Sequence, residues 1–100
     1  MAITTSVSGD GKVVTIRVSG RFDFGTHQDF QRAYKQHPRG EKAFVVDLRH
    51  TDYMDSSAMG MLLQLREYAL KDRTPELVNG NDAVREILRI ANFDRLFKVA

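Results

Sequence analysis

Asp55, Ser56 and Ser57 stand together where the polar stretch Arg49-His50-Thr51-Asp52 gives way to an apolar run of helical spacing. Short oxygen-bearing side chains at such a point accept from the free backbone N–H groups of a first helical turn, so N-capping alone is one role for Asp55 and Ser56. Phosphorylation is another, because a serine hydroxyl at the positive end of a helix sits where added negative charge is favoured. A third would be nucleophilic catalysis. Ser56, His50 and Asp23 supply the residue types of a hydrolase triad, but nothing in their spacing fixes a triad geometry. The chain has no G-x-S-x-G elbow, no glycine-rich phosphate loop and no H-E-x-x-H. His27, His37 and His50 lack metal-ligand spacing, and surface or core roles account for them. The expectation is therefore a protein that is not an enzyme and needs no cofactor or metal.

The helix that presents these residues is predicted to open at Asp55–Ser56 and to run to about Lys71. On a wheel stepping about 100° per residue, Ala58, Leu62, Leu65 and Ala69 fall together as the core-facing stripe. Ser56 lies opposite that stripe and Ser57 on its flank. The side around Ser56 is not polar, because Met59, Gly60, Leu63 and Leu70 cluster there with Arg66, Glu67 and Lys71 as its charged members. A helix apolar nearly all round its first half is either buried on both sides or meets a partner. An exposed serine inside such a patch suits a modifiable interface.

The rest of the chain supplies the scaffold. Ile3–Val7 reads as a short strand, Ser8-Gly9-Asp10-Gly11 as a turn, and Val14, Ile16 and Val18 as the apolar positions of a half-buried strand that forms a hairpin with the first. Gly20 ends it. Arg21–Gly25 reads as a loop, in which an Asp at position 23 would ordinarily satisfy loop amides. Thr26 with Asp29 is capping-box-like and starts a helix with Phe30, Ala33 and Tyr34 on one face, stopping before Pro38-Arg39-Gly40. Phe44-Val45-Val46 is continuously apolar, predicting a central strand covered on both faces, with Asp47 bonding the next loop. Pro75 breaks the Ser56 helix, Glu76–Asn79 is a short strand, and Val84, Ile87, Leu88 and Ala91 hold helical spacing up to Asn92. Phe93–Val99 closes the chain with packing residues and the start of a last strand. Strands alternating with helices after a hairpin predict an α/β fold with a mixed sheet.

Composition bounds the function. One hundred residues imply one domain, 1–100, able to bury about two thirds of its unfolded surface. Fifteen basic against 13 acidic residues give +2, and the basic residues are scattered, so a nucleic-acid partner is not expected. The absence of cysteine excludes disulfides and zinc–thiolate sites and is compatible with the cytoplasm. Apolar runs are far too short for a membrane span and no leader pattern opens the chain, so no membrane association is expected.

Three stretches in the right order resemble the STAS domain family, and within it the bacterial anti-sigma factor antagonists. Asp55-Ser56-Ser57-Ala58-Met59-Gly60, after a strand ending Val45-Val46-Asp47-Leu48, resembles the D-S-S-x-x-G signature. Gly20-Arg21-Phe22-Asp23 is similar to the G-x-hydrophobic-D that follows the family's second strand. Val84–Leu88 with Asp94–Phe97 resembles its C-terminal helix and turn. Ala58 stands where the family usually has glycine.

The resemblance implies a STAS-like mixed β-sheet with helices packed on it. The family commonly continues through another strand and a final helix, so the usual final helix is expected to be lacking, with the far sheet edge bare, shortened or covered in a homodimer. It also implies a bacterial transcription regulator that works by partner switching. Unphosphorylated, such a protein binds an anti-sigma factor of histidine-kinase-like ATPase fold and so releases a sigma factor. Phosphorylation of Ser56 by that partner or a related serine kinase blocks binding, and a serine phosphatase reverses it. ATP is then the partner's ligand. The apolar patch around Ser56 predicts that Met59 and Leu63 contact the partner, and with the resemblance Asp23, Met54, Asp55, Ser57 and Gly60 are expected to bind it as well. The alternative is a STAS module that docks this helix on a lipid or anion transporter or another regulatory assembly, without phosphorylation. A nucleotide-binding STAS module would need a base or phosphate pocket that the sequence does not mark.

Overall fold

The computed structural model describes residues 2–69 and 71–100, so the placing of Leu70 beside Ser56 lies outside the described residues. In chain order the strands are β1 (Ile3–Val7), β2 (Val13–Val18), β3 (Gly20–Phe22), β4 (Ala43–Asp47), β5 (Thr51–Met54), β6 (Glu76–Val78) and β7 (Lys98–Val99). The helices are α1 (His27–Lys35), α2 (Ser56–Tyr68) and α3 (Asp82–Ile90), with short 3-10 turns at Phe24–Thr26 and Phe93–Arg95. The expected β1–β2 hairpin is present, antiparallel with Ile3 opposite Val18 and Val7 opposite Val14. Its turn is tied by the Ser8 N–H donating to the Val13 carbonyl at 2.8 Å and by the Ser8 hydroxyl donating to Asp10 at 2.6 Å.

Beyond the hairpin each strand is added parallel to the last, giving the order β1-β2-β4-β6-β7. Successive right-handed crossovers that always step in one direction place their helices on one face of a sheet. Burial agrees. Val14, Ile16, Val18, Phe44, Val46 and Leu77 point to the buried face, while Thr15, Val45, Asp47, Glu76 and Val78 on the other face stay partly exposed. The expectation that Phe44-Val45-Val46 is covered on both faces is therefore corrected. β4 is central in the sheet, but Val45 looks out of an uncovered face, and its apolar character reflects β-propensity rather than burial.

The buried face is closed by Phe30, Ala33 and Tyr34 of α1, by Ala58, Met61, Leu62 and Leu65 of α2, and by Val84 and Leu88 of α3. α1 locks against α2 and the sheet through aromatic edges. Phe30 lies 5.1 Å from Phe22, and Tyr34 lies 5.0 Å from Tyr68 and 6.3 Å from Phe44 between ring centroids.

Two boundaries differ from expectation. α2 stops at Tyr68 rather than near Lys71, because Ala69 is already extended and the Tyr68 carbonyl accepts from Gly40 N–H at 2.9 Å. Thr26 does not cap α1 with its side chain; its hydroxyl donates instead to the Asp23 carbonyl at 2.8 Å. At the far edge β7 pairs with β6, and the Ala100 N–H donates to Leu77 at 2.9 Å, so this edge carries a short strand. Among the described residues no helix is long and apolar enough to cross a membrane.

Candidate functional site

The site is built by β3 and β5, which form a two-stranded parallel sheet of their own. Neither was expected as a strand: Arg21–Gly25 reads as a loop and Arg49–Asp52 as a polar lead-in. Gly20 has φ +79°, a left-handed angle that costs glycine little, and there the chain turns out of β2 into β3. The Gly20 N–H donates to His50 at 2.9 Å, and the buried Thr51 hydroxyl donates to Val18 at 2.8 Å, splicing this small sheet onto the end of β2. Arg21 then pairs with Tyr53 and Phe22 with Met54. Side chains alternate along a strand, so Phe22 and Met54 enter the core while Arg21 and Tyr53 stay outside.

Because the pairing is parallel, both strands end at the same place, and each is followed by an aspartate. Asp23 accepts from the Gly25 N–H at 2.9 Å and so caps the 3-10 turn. Asp55 accepts from the N–H groups of Ser57 at 3.1 Å and Ala58 at 3.2 Å, capping α2. It also accepts from the Ser57 hydroxyl at 2.6 Å. That bond holds the Asp55 carboxyl below the usual carboxylate range, opposed by burial and reinforced by the two amides and the charge of Arg21. The two serines are thereby distinguished. The Ser57 hydroxyl is half-buried and engaged, whereas Ser56 is exposed on the first turn of α2.

Of the residues expected to meet a partner, Asp23, Asp55, Ser57, Met59, Gly60 and Leu63 all keep some exposure, and Leu63 is 38% exposed. A Cβ added at Gly60 would meet nothing within 4 Å, so internal packing does not require glycine there. Met54 is a correction. At 3% exposure it faces the core, because it follows the outward Tyr53 on β5, and it cannot touch a partner. Three residues not expected there, Arg21, Phe24 and Tyr53, complete the surface. Phe24 is 70% exposed and stacks on His27 at 5.2 Å. Tyr53 carries the Arg21 guanidinium 3.9 Å above its ring, and Arg21 also pairs with Asp23 at 3.2 Å. The alternation of Tyr53 with Met54 along Thr51–Met54 is the sequence signal for this outward position.

The triad residues do not converge. His50 precedes β5 and Ser56 follows it, so the strand's length separates them. Asp47 takes the loop role expected of it, accepting from the Arg49 N–H at 3.0 Å and the Asn79 amide at 3.1 Å.

The sequence matches the family model described as Mlab, STAS domain, over residues 5–99. The chain belongs to the STAS domain family. A STAS-domain containing protein of Pseudomonas aeruginosa is 50% identical over 101 residues, spanning 100% of both chains. The STAS fold of the chain is also that of solved structures. An anti-sigma factor antagonist from Mycobacterium paratuberculosis superposes with a TM-score of 0.75 at 24% identity, over 97% of this chain and 84% of that one. The anti-sigma factor antagonist SpoIIAA in its unphosphorylated form gives 0.74 at 21%, over 99% and 88%. The Bacillus SpoIIAA in its phosphorylated form gives 0.65 at 20%, over 99% and 91%. Within this STAS chain, then, the D-S-S signature joins the end of β5 to the first turn of α2, and Asp23 holds the matching place after β3.

Proposed function

We propose that this STAS domain is an anti-sigma factor antagonist in a bacterial, cytoplasmic partner-switching system, a binding module rather than a catalyst. One observation carries the reading. An exposed serine opens α2 beside an engaged neighbour, Ser57, on a surface with the exposed apolar groups Phe24, Tyr53 and Leu63. The similarity to proteins described as anti-sigma factor antagonists, one of them solved in a phosphorylated form, supports the same reading. The partner is then an anti-sigma factor of histidine-kinase-like ATPase fold, which brings ATP, and a serine phosphatase resets the switch.

Phosphoserine at position 56 adds about −1.5 to −2 charges at pH 7. At the first turn of α2 that charge faces the positive end of the helix, so the fold tolerates it. The interface does not. A hydrated dianion would have to be pressed against a partner that also covers apolar side chains, at a desolvation cost of several kcal/mol. Incubation with the cognate kinase and ATP, followed by peptide mass spectrometry, is expected to place phosphate on Ser56 and not on Ser57. Ser56→Ala is expected to bind the partner constitutively, and Ser56→Asp roughly tenfold more weakly, with melting temperatures little changed. Phosphate mainly on Ser57, or equal affinity for unmodified protein, Ser56→Asp and phosphoprotein, overturns the proposal. An unmodified Ser56 in a complex with a transporter subunit would favour the docking alternative.

A further inference from the structure

We infer that Arg21 is the internal counter-ion of phosphoserine 56, a positioning residue that leaves Asp23 for the phosphate when Ser56 is modified. The inference rests on the phosphorylation proposed above and adds to it a residue that the D-S-S signature does not contain.

The geometry sets the direction in which Arg21 points. Arg21 and Tyr53 are register partners on the outer side of the β3–β5 sheet, and the guanidinium lies 3.9 Å above the Tyr53 ring. From there it reaches forward along β3 to Asp23, at 3.2 Å. The strands are parallel, so leaning toward the end of β3 is also leaning toward the end of β5, where Asp55 and Ser56 stand. Ser56 is three residues beyond Tyr53, at most roughly 10 Å of chain. In the modified protein the arginine and the phosphoserine side chain would span that gap from its two ends. The guanidinium charge is already felt at Asp55.

Exchange of partners is chemically favourable. The Arg21–Asp23 pair is open to solvent, with the arginine side chain 63% exposed, and a solvated pair of this kind contributes little. A phosphate dianion carries more charge than a carboxylate, and whereas Asp23 already gives one oxygen to the Gly25 N–H, the phosphate can offer the guanidinium fork two oxygens at once. Tyr53 offers the planar group the same ring face in either state. Without Arg21, the phosphate would stand beside Asp55 and Asp23 with the helix end as its compensation. Pairing with Arg21 also leaves the Asp23 carboxylate without its cation, so modification alters the charge offered to a partner at Asp23 as well as at Ser56.

The test uses the full chain with phosphoserine installed genetically at position 56, which makes it independent of whether any kinase modifies the protein. A cycle of four proteins, with or without phosphate in the Arg21 and Arg21→Gln backgrounds, is compared by thermal melting. Phosphate is expected to shift the melting temperature by less than about 2 °C with Arg21 and to lower it by roughly 5 °C more with Arg21→Gln. The Arg21→Gln change alone acts at an exposed pair and cancels in the cycle. In the Arg21 protein, the side-chain Nε–H resonance of Arg21 is expected to move on phosphorylation, as the bond to Asp23 is replaced. Equal phosphate shifts in both backgrounds, or an Nε–H resonance that stays in place, would overturn the inference. Failure of the kinase assay would instead count against modification in the cell and leave this result standing.

Discussion

α2 and α3 are both capped helices on the same sheet, yet they use their apolar residues differently. α3 is capped by Asn81, whose side chain accepts from the Val84 N–H at 2.8 Å, and it buries Val84 and Leu88. Its outer side carries Arg85, Glu86 and Arg89, the last two paired with each other. Ile90 is exposed there, but a single exposed apolar side chain is ordinary. α2 buries Ala58, Met61, Leu62 and Leu65, and outside that set carries Met59, partly packed against the core, and the exposed Leu63. Those two sit on the same helix as Ser56, with Phe24 and Tyr53 exposed near the ends of β3 and β5. On the function proposed above, a partner covers the exposed part of this surplus on α2, whereas α3 closes the core. On that proposal, the difference between the two helices separates what folds the domain from what it presents.

The sharpest way to break that comparison is to mutate neighbours on α2. Leu62 is fully buried and Leu63 is 38% exposed. Leu62→Ala is expected to destabilise the domain by about 3 kcal/mol, within the range for a buried leucine, and Leu88→Ala on α3 by a similar amount. Denaturant melts measure both. Leu63→Asp should leave the melt nearly unchanged and lower partner affinity about thirtyfold, or about 2 kcal/mol, as read by calorimetric titration. A Leu63→Asp protein that unfolds would place Leu63 in the core. One that folds and binds normally would remove it from the interface, and the surplus on α2 would lose its meaning.

The same pair of helices shows what could be read in advance. The stripe Ala58, Leu62, Leu65, Ala69 and the exposure of Ser56 against Ser57 were legible because helical spacing over a long segment is a strong signal. The alternation Val14, Ile16, Val18 was legible for the same reason at period two. The β3–β5 sheet was not. β3 has three residues and β5 four, too few to show a period, and both mix polar with apolar side chains. What makes Thr51 a strand residue is its pairing with Gly20, reinforced by its hydroxyl bond to Val18, 33 positions away in sequence. Missing that pairing hid Arg21, Tyr53 and Phe24 and made Met54 look like a surface residue. The uncovered sheet face was missed because Val45 has the same side chain whether it is buried or merely β-forming.

The smallest expected effect distinguishes the two caps by charge. Asp55 titrates and Asn81 does not. The Asp55 carboxyl is held below the ordinary value of 3.8, first by the Ser57 hydroxyl and, against the opposing effect of burial, by the Ala58 and Ser57 amides. A carboxylate whose folded pKa is depressed contributes stability that is fully present above the ordinary value and is lost as pH falls through the folded one. The cap on α2 should therefore hold from neutral pH to about pH 5 and loosen only below 3.8, while the cap on α3 is indifferent. A global melt cannot isolate this, since Asp10 and Asp47 are depressed as well and weaken the fold in the same direction. Residue-specific amide proton shifts can. Acidification should move the Ser57 and Ala58 N–H resonances with a midpoint below 3.8, as the carboxylate they donate to is neutralised. The Val84 resonance, whose acceptor is the Asn81 amide oxygen, should move far less. Asp55→Asn keeps an acceptor at the cap and should abolish the titration at Ser57 and Ala58. If Val84 follows them step for step, the change is a general loosening of the fold. If their midpoint lies at or above 3.8, Ser57 does not hold the Asp55 carboxylate as described, and the argument that leaves Ser56 as the free hydroxyl loses its electrostatic support.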